Sequence, residues 1–242
     1  MKLIEVASDL WVATQPLRFL TLEIGTRMTV VRLPNGDLAI ISPIAMDAGD
    51  RATIDALGTV RHLIAPNLFH HLFFGNAQSL WPDATAWCVP GLPEKRPDLR
   101  FDHLLGTSNS LDEALQGGLQ SLPFRGVAVI LPSGIKALNE TVFFHRPSNT
   151  LILTDIAFNF ARRTSSRYMR WVATLLGSYD TLKPSRLEKW ATRDKAAVEE
   201  SVRQVLAWDF DRVIVAHGSI VETGGKPQFK AGYEWLLGRS LP

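Results

Sequence analysis

The sequence predicts an α/β fold in which two β-sheets are packed between helices. Short apolar runs bounded by turn residues alternate with segments of helical periodicity, an arrangement typical of α/β proteins rather than of all-α or all-β folds. Three of the apolar runs are followed within a few residues by side chains that bind metals, as expected where strand ends line a site. A chain of 242 residues suits one domain, so we predict a single domain over residues 1–242.

The first 65 residues are predicted to form a hairpin followed by a β-α-β unit. Alternating apolar residues and a turn of the type Pro-Asn-Gly-Asp predict the hairpin. A helical segment that ends at a glycine and an apolar run closed by a proline follow it. The predicted strands are Leu10–Thr14, Met28–Leu33, Leu38–Ser42 and Val60–Ala65, and the predicted helix is Asp50–Leu57.

The rest of the chain continues this alternation. A loop that leads into a helix is predicted between Pro66 and Leu80, and an unusually apolar run, LILT, ends in Asp155. The further predicted strands are Ala84–Val89, Val127–Leu131, Thr141–His145, Leu151–Thr154 and Arg212–Ala216, and the predicted helices are Tyr168–Leu176 and Arg193–Ala207.

The composition excludes several classes of protein. The chain has 26 basic and 24 acidic residues, a net charge of +2 and no long run of one sign, so neither a nucleic-acid nor a membrane partner is expected. Cys88 is the only cysteine, so an intrachain disulfide cannot form and a bound metal must be held by His, Asp or Glu. The charged N-terminus lacks the apolar core of a signal peptide, which predicts a cytoplasmic protein.

Candidate metal ligands follow three predicted strands. His70 and His71 come after the strand that ends at Ala65, Asp155 follows LILT, and His217 follows VIVA. Imidazole and carboxylate groups together suit Zn, Fe or Mn. Adjacent side chains tend to point apart, so one of the two neighbouring histidines can be structural instead.

The other candidates have structural alternatives. Asp155 can cap the following segment, and His217 can be a turn residue beside Gly218. Core positions are the favoured interpretation for three further histidines, His62, His103 and His145. For the aromatic group Phe69, Phe73, Phe74, Trp81 and Trp87, core packing is favoured over a substrate pocket. For the basic group Arg162, Arg163, Arg167 and Arg170, a solvated face is favoured over an anion site.

The order of these segments resembles the metallo-β-lactamase superfamily. Its main motif, His-x-His-x-Asp-His, aligns with RHLIAPNLFHHLFFGN so that the two leading histidines fall on Pro66 and Leu68. The aspartate of the motif then falls on His70 and its last histidine on His71. Half of the motif is therefore absent.

The remaining family positions match more closely. The bridging aspartate of the family corresponds to Asp155 in TLILTDIAFN, and its final histidine corresponds to His217 in DFDRVIVAHG. The family's middle histidine has no counterpart in GIKALNETVFF, where Glu140 or Asn139 is the replacement and Glu140 is the better ligand. Glu140 can instead pair with Lys136 or Arg146. The segments PNLFHH, LNE, FHRPS, LTD and AHG resemble, in this order, one bacterial branch of the superfamily.

The resemblance implies a four-layer α-β-β-α sandwich of the metallo-β-lactamase type with a reduced metal site. It implies one divalent transition metal ion, with Zn expected and Fe or Mn as alternatives, and hydrolysis of a small ester-like or phosphoester substrate. Asp155 is the expected catalytic residue. The alternative is a non-catalytic protein with a binding or scaffold role, and the alternative to a bound metal ion is no cofactor. A metal-free enzyme ranks last, because no nucleophile–base pair is evident. The implied ligands are His70, His71, Glu140, Asp155 and His217.

Overall fold

A computed structural model describes residues 1–19, 21–107, 110–131, 134–161 and 166–241. The strands in these ranges are β1 (Leu3–Ala7), β2 (Leu10–Gln15), β3 (Arg18–Phe19), β4 (Leu22–Glu23), β5 (Thr26–Arg32), β6 (Asp37–Ile41), β7 (Thr59–Ala65), β8 (Thr85–Cys88), β9 (His103–Leu104), β10 (Leu119–Phe124), β11 (Ala128–Leu131), β12 (Gly134–Ala137), β13 (Glu140–His145), β14 (Thr150–Ile152) and β15 (Arg212–Ile214). The helices are α1 (Ala48–Asp55), α2 (Phe74–Leu80), α3 (Leu92–Lys95), α4 (Ser110–Ala114), α5 (Arg167–Leu176), α6 (Arg186–Ala191), α7 (Lys195–Leu206) and α8 (Gly225–Leu237).

The strands form two main sheets and two short ribbons. One sheet has seven strands in the order β1-β2-β5-β6-β7-β8-β9, and the other has four in the order β10-β13-β14-β15. The ribbons are β3-β4 and β11-β12. β5 and β6 form the predicted antiparallel hairpin, whereas β6, β7, β8 and β9 run parallel, as do β14 and β15. The parallel strands bring several carboxyl ends to the same edge of the molecule.

Successive residues of the four-stranded sheet enter two different cores. Phe143 and Ile152 are buried with the seven-stranded sheet, whereas Phe144 and Leu151 are buried with residues of α7 and α8. Because side chains alternate between the faces of a strand, this sheet lies between the other sheet and those two helices. On the far side, α1 and α2 pack on β7. The four-layer α-β-β-α sandwich is therefore confirmed.

Most element boundaries differ by one or two residues from the predicted ones, and for two of them the contacts show a local reason. α1 begins at Ala48, before the predicted Asp50, because the Asp47 side chain accepts a hydrogen bond from the Asp50 amide in a capping box. β14 ends at Ile152, and the strand predicted to reach Thr154 stops because the amides of Thr154 and Asp155 donate to the Glu140 side chain. The chain thus leaves the sheet just before Asp155.

Helix α8 is the longest of the elements that were not predicted from the sequence. Glycine and proline disfavour helix interiors, and this segment contains Gly225, Pro227 and Gly232. Packing explains the two glycines, since a Cβ at Gly225 would lie 2.5 Å from Val213 and one at Gly232 would lie 2.5 Å from the Leu182 carbonyl oxygen. Among the described residues, no helix has the length and apolar character required to cross a lipid bilayer.

Candidate metal centre

His70, Asp155 and His217 meet where strands of both main sheets end. His70 lies in the loop after β7, Asp155 in the loop after β14 and His217 in the loop after β15. The Nε2 atom of His70 is 3.3 Å from Asp155 Oδ2, and the Nε2 atom of His217 is 3.0 Å from Asp155 Oδ1. One ligand atom from each residue lies within 4.8 Å of the other two. All three side chains are buried.

The second nitrogen of each imidazole has its own partner. His217 Nδ1 is 2.6 Å from the carbonyl oxygen of Gly25, which can only accept, so Nδ1 carries a proton. His70 Nδ1 is 2.5 Å from the hydroxyl of Ser42. Ser42 follows β6 directly and has a left-handed conformation with φ of 55°, which is uncommon for serine and typical of residues at functional sites. These contacts fix the orientation of both rings and direct their Nε2 atoms toward Asp155.

The donor atoms fit a metal ion in number, type and spacing. Ligands at about 2.0–2.2 Å from a zinc-sized ion lie about 3.0–3.4 Å apart when the angle between them is about 90–110°. The two nitrogen–oxygen separations, 3.3 Å and 3.0 Å, fall in this range. Three protein ligands with an open position is the arrangement of catalytic zinc sites.

The charges of His70 and Asp155 change the pKa of both groups. Burial acts to raise the pKa of Asp155, but His70 and His217 outweigh burial, so this pKa lies far below its ordinary value. Burial likewise lowers the pKa of His70, yet the Asp155 carboxylate outweighs burial and the resulting pKa is raised. Asp155 is therefore held as a carboxylate, the form that binds metals.

Asn67 joins the loops of His70 and Asp155. Its side-chain oxygen accepts hydrogen bonds from the amides of Phe69 and His70 at 2.8 and 2.9 Å, and its side-chain nitrogen lies 2.8 Å from Asp155 Oδ2 and 3.1 Å from Glu140 Oε2. Asn67 is completely buried. The sequence analysis did not identify this residue, although an asparagine after a strand-ending proline is a signal for an Asx turn.

Glu140 is not one of the three mutually close candidate ligands, and instead it holds the backbone next to Asp155. It begins β13 and is buried, with Oε1 accepting from the Thr154 amide and Oε2 from the Asp155 amide, both at 2.7 Å. Burial, together with the nearby Asp155 carboxylate, raises its pKa. The predicted ion pairs of Glu140 with Lys136 or Arg146 are not among the ion pairs of the described residues. Asn139, the other predicted replacement, is exposed, and its side chain is 3.5 Å from the Pro90 carbonyl oxygen.

His71 also lies outside the group of three mutually close ligands. Its Nδ1 atom is 2.8 Å from Nη1 of Arg96, so that nitrogen is the acceptor for a guanidinium donor. Burial, followed by the positive charges of Lys95 and Arg96, lowers the pKa of His71 to about 4. The ligand assignments of His71 and Glu140 thus receive no support from this geometry, whereas His70, the other histidine of the adjacent pair, faces Asp155.

The neutral state of His71 predicts an acid-sensitive stability. Its folded pKa of about 4 lies below the ordinary value near 6.5, so the unfolded chain binds more protons between these two pH values. The free energy of unfolding is therefore expected to fall as the pH decreases from about 6.5 to about 4. Urea unfolding of chelator-treated protein measures this slope. His71→Gln should flatten the slope, and an unchanged slope in that variant would contradict the assignment.

The loop that carries His217 is held by a buried arginine. Arg27, in β5, donates to the carbonyl oxygens of Val215 and Gly218, the latter at 2.7 Å. Burial lowers its pKa to about 10, so the side chain remains charged at neutral pH. Arg27 was also missed from sequence, because it occurs inside a strand with no motif around it. It links the seven-stranded sheet to the end of β15.

Comparison with known proteins agrees with this architecture. Residues 7–176 match the protein family described as a domain of unknown function, DUF4336. The chain belongs to this family. No curated protein matches this DUF4336 chain in sequence.

Several solved structures are similar to the DUF4336 chain in fold. A metallo-β-lactamase from Hirschia baltica has 12% identity and a TM-score of 0.60, with 100% of this chain and 99% of that one covered. The metallo-β-lactamase FIM-1 from Pseudomonas aeruginosa in its mono-zinc form has 11% identity and a TM-score of 0.59, with coverage of 98% and 93%. The metal-soaked Flv1 flavodiiron core from Synechocystis sp. PCC6803 has 14% identity and a TM-score of 0.64, with coverage of 98% and 60%. The fold of the DUF4336 chain is thus the metallo-β-lactamase fold.

The remaining histidines and the basic group of the sequence predictions differ in how far they are buried in the DUF4336 protein. His145 is buried and its Nδ1 is 2.6 Å from Ser148 Oγ, as expected for a core histidine. His62 is half-buried, and its Nδ1 is 3.2 Å from the indole nitrogen of Trp87. The core prediction is wrong for His103, which is exposed because its strand, β9, lies at the edge of the sheet. Of the basic group, Arg162 and Arg163 lie outside the described residues, Arg167 is exposed and Arg170 is half-buried.

A cavity of about 510 Å³ includes the three candidate ligands, His70, Asp155 and His217, in its wall. Phe69 and Phe73 of the predicted aromatic group also line the cavity. The other members, Phe74, Trp81 and Trp87, are buried in the core. Core packing, the favoured interpretation, therefore holds for three of the five residues, and the other two lie at a pocket. The hydroxyl of Ser178 is in the cavity wall and is buried without a hydrogen-bond partner among the described residues.

Proposed function

We propose that this DUF4336 protein is a metal-dependent hydrolase with one divalent ion held by His70, Asp155 and His217. The observation that carries the proposal is the convergence of two imidazole Nε2 atoms on one buried carboxylate, at separations of 3.3 and 3.0 Å. FIM-1 in its mono-zinc form is a structure of similar fold, so a single ion is compatible with this architecture. Zinc is the favoured metal, and iron and manganese accept the same ligands.

The bound ion would supply Lewis-acid chemistry, lowering the pKa of water and polarising a carbonyl or phosphoryl oxygen. The protein contributes the fixed geometry around it. Asn67 holds the Asp155 carboxylate through Oδ2, and the Gly25 carbonyl oxygen holds the ring of His217. Asp155 is the residue that we assign to orienting the attacking water while it binds the ion. Contacts of this kind keep ligands in place and commonly contribute 10–100-fold to metal affinity or activity.

The open cavity beside the ligands favours a small-molecule substrate. A volume of about 510 Å³ lies in the range of small-molecule sites. We therefore propose a small ester-like or phosphoester compound as the substrate.

The alternative is a non-catalytic binding protein on the same fold. Pro66 and Leu68 occupy the positions of the two leading histidines of the superfamily motif, and neither can bind a metal through its side chain. Loss of these ligands would remove a second ion and leave less stabilisation of charge in the transition state. Metal binding with no turnover of any substrate would favour this alternative.

The direct test is metal binding by calorimetry and elemental analysis, on protein purified without a histidine tag and treated with chelator. We expect about one Zn²⁺ per chain. His217→Ala should weaken binding by at least about 10–100-fold, and Asp155→Ala should do the same. The matched control is His103→Ala, because His103 is an exposed histidine of the edge strand β9. Equal affinity in all these variants would overturn the metal assignment.

Activity is tested on a panel of chromogenic esters and phosphodiesters with added Zn, Mn or Fe. We expect slow hydrolysis that is lost on chelation and in His217→Ala, and no meaningful cleavage of β-lactams, because a single ion stabilises less charge than two. Hydrolysis that persists after chelation and in His217→Ala would show that the metal mechanism is wrong.

A further inference from the structure

The cavity wall is mostly apolar, and its polar residues away from the three candidate ligands include Ser178, Ser185 and Glu188. It is built by elements outside the four main layers: the ribbons β3-β4 and β11-β12 and the helices α5 and α6. These elements contribute Leu22, Val129, Ile130, Met169, Leu176 and Leu187. The chain after Asp155 adds Phe158 and Phe160. A ligand that reaches His70, Asp155 and His217 must therefore place its other end among aliphatic and aromatic side chains.

The cations in the described part of the cavity wall already have partners, so an anionic ligand would find few of them available. Apart from the histidines of the cavity, the cations in its described wall are Arg18 and Lys95. Arg18 is exposed and paired with Glu23 at 2.6 Å, and the ammonium group of Lys95 donates to the Leu68 carbonyl oxygen at 2.6 Å. Glu188, which is buried in the same wall, would repel a second negative charge if ionised. Away from His70, Asp155 and His217, a phosphodiester would lose its hydration without gaining a strong partner.

We propose that the cavity binds the large apolar acyl group of an uncharged carboxylic ester, with the ester bond at His70, Asp155 and His217. This inference rests on the proposed function for the reaction and on the cavity alone for the acyl group. Hydrolysis adds water across the acyl C–O bond, so the products are the carboxylic acid and the alcohol, and no other reactant is required. A cavity of about 510 Å³ is far larger than an acetyl group needs.

Binding is measured first, on metal-free protein, with decan-1-ol and ethanol as uncharged probes in calorimetry. We expect decan-1-ol to bind and ethanol to show no binding at the same concentration, because each buried methylene group raises affinity by about threefold to fourfold. This measurement does not depend on catalysis. No binding of decan-1-ol would overturn the acyl-site inference.

Hydrolysis is then compared for 4-nitrophenyl acetate, butyrate, octanoate and decanoate with zinc-loaded protein, after subtraction of the uncatalysed rates. We expect kcat/KM to rise at least about 100-fold from acetate to decanoate, a gain that needs only four or five fully buried methylene groups. A flat or falling series would overturn the inference while leaving the hydrolase proposal intact. Binding of decan-1-ol with no hydrolysis of any ester would retain the acyl site and reject the hydrolase.

Two neighbouring residues of α5 provide a matched pair of variants. Leu176 lines the cavity, whereas Leu175 is 51% exposed and does not line it. Both sit in the last turn of α5, so the same substitution has a similar intrinsic cost for the helix. Leu176→Glu should lower the decanoate-to-acetate ratio of kcat/KM by at least about tenfold, because a carboxylate then faces the acyl chain. Leu175→Glu should keep the wild-type ratio, and equal ratios in the two variants would contradict the proposed position of the chain.

Discussion

Asn67→Ala is expected to lower the free energy of unfolding by about 3–5 kcal/mol, because hydrogen bonds to buried charged groups are worth about 1.5–3 kcal/mol each. The side-chain nitrogen of Asn67 lies within 3.1 Å of the carboxylates of Glu140 and Asp155 and of the Thr154 hydroxyl. Removal of the amide group would leave two buried carboxylates with fewer donors. It would also free the loop that carries His70, whose amide donates to Asn67.

The matched control is Asn76→Ala. Asn76 likewise bridges two segments by its side chain, accepting from the Met46 amide at 2.9 Å and donating to the Met46 carbonyl oxygen at 3.1 Å. Its partners are uncharged and Asn76 itself is exposed, so the loss should be only about 1–2 kcal/mol. Urea unfolding of both variants in chelator measures the difference. If the two substitutions cost the same, the carboxylates do not depend on Asn67.

The sequence predicted the parts of the site that follow regular strands. Asp155 and His217 come directly after strongly apolar runs, and their positions at a shared edge follow from the parallel pairing of β14 and β15. Strand-end ligands can be found in this way because a buried strand has a clear pattern, and the residue that follows it has a defined place.

The choice between His70 and His71 could not be made from sequence. Both residues lie in a loop, where no periodicity determines the direction of a side chain, and the orientation depends on distant partners. His70 is held by Ser42, and His71 is held by Arg96 from the segment that follows α3. These contacts join residues 28 and 25 positions apart, and local patterns contain no information about them.

The role of Glu140 could not be predicted from the sequence either. Its charge made it the better candidate ligand, but a carboxylate can also accept hydrogen bonds from backbone amides. The structure places it next to the amides of Thr154 and Asp155, at 2.7 Å from each. Whether Glu140 binds a metal or accepts from these amides depends on where β14 ends. The sequence placed that end two residues too late.

Gly218→Ala is expected to destabilise the protein by about 3–5 kcal/mol and to weaken zinc binding at least about tenfold. A Cβ at this position would lie 2.1 Å from the carbonyl oxygen of Asn159, and φ at Gly218 is 101°, which alanine rarely adopts. Steric displacement and backbone strain each cost about 1–3 kcal/mol. The Ser219 amide donates to that same carbonyl at 2.7 Å. This hydrogen bond joins the loop after Asp155 to the loop that carries His217, and the added Cβ would force the two loops apart.

Gly224→Ala separates the effect on the site from the general cost of alanine at a left-handed glycine. Gly224 also has a positive φ, 68°, but a Cβ there would have Gln228 Nε2 as its nearest neighbour, at 3.8 Å, so only the strain of about 1–2 kcal/mol applies. The Gly224 amide donates to Asp211, which precedes β15, whereas His217 follows that strand, so zinc affinity should remain at the wild-type value. Calorimetry and urea unfolding on both variants distinguish the two contributions. Wild-type zinc affinity in Gly218→Ala would mean that the close contact with Asn159 does not position His217.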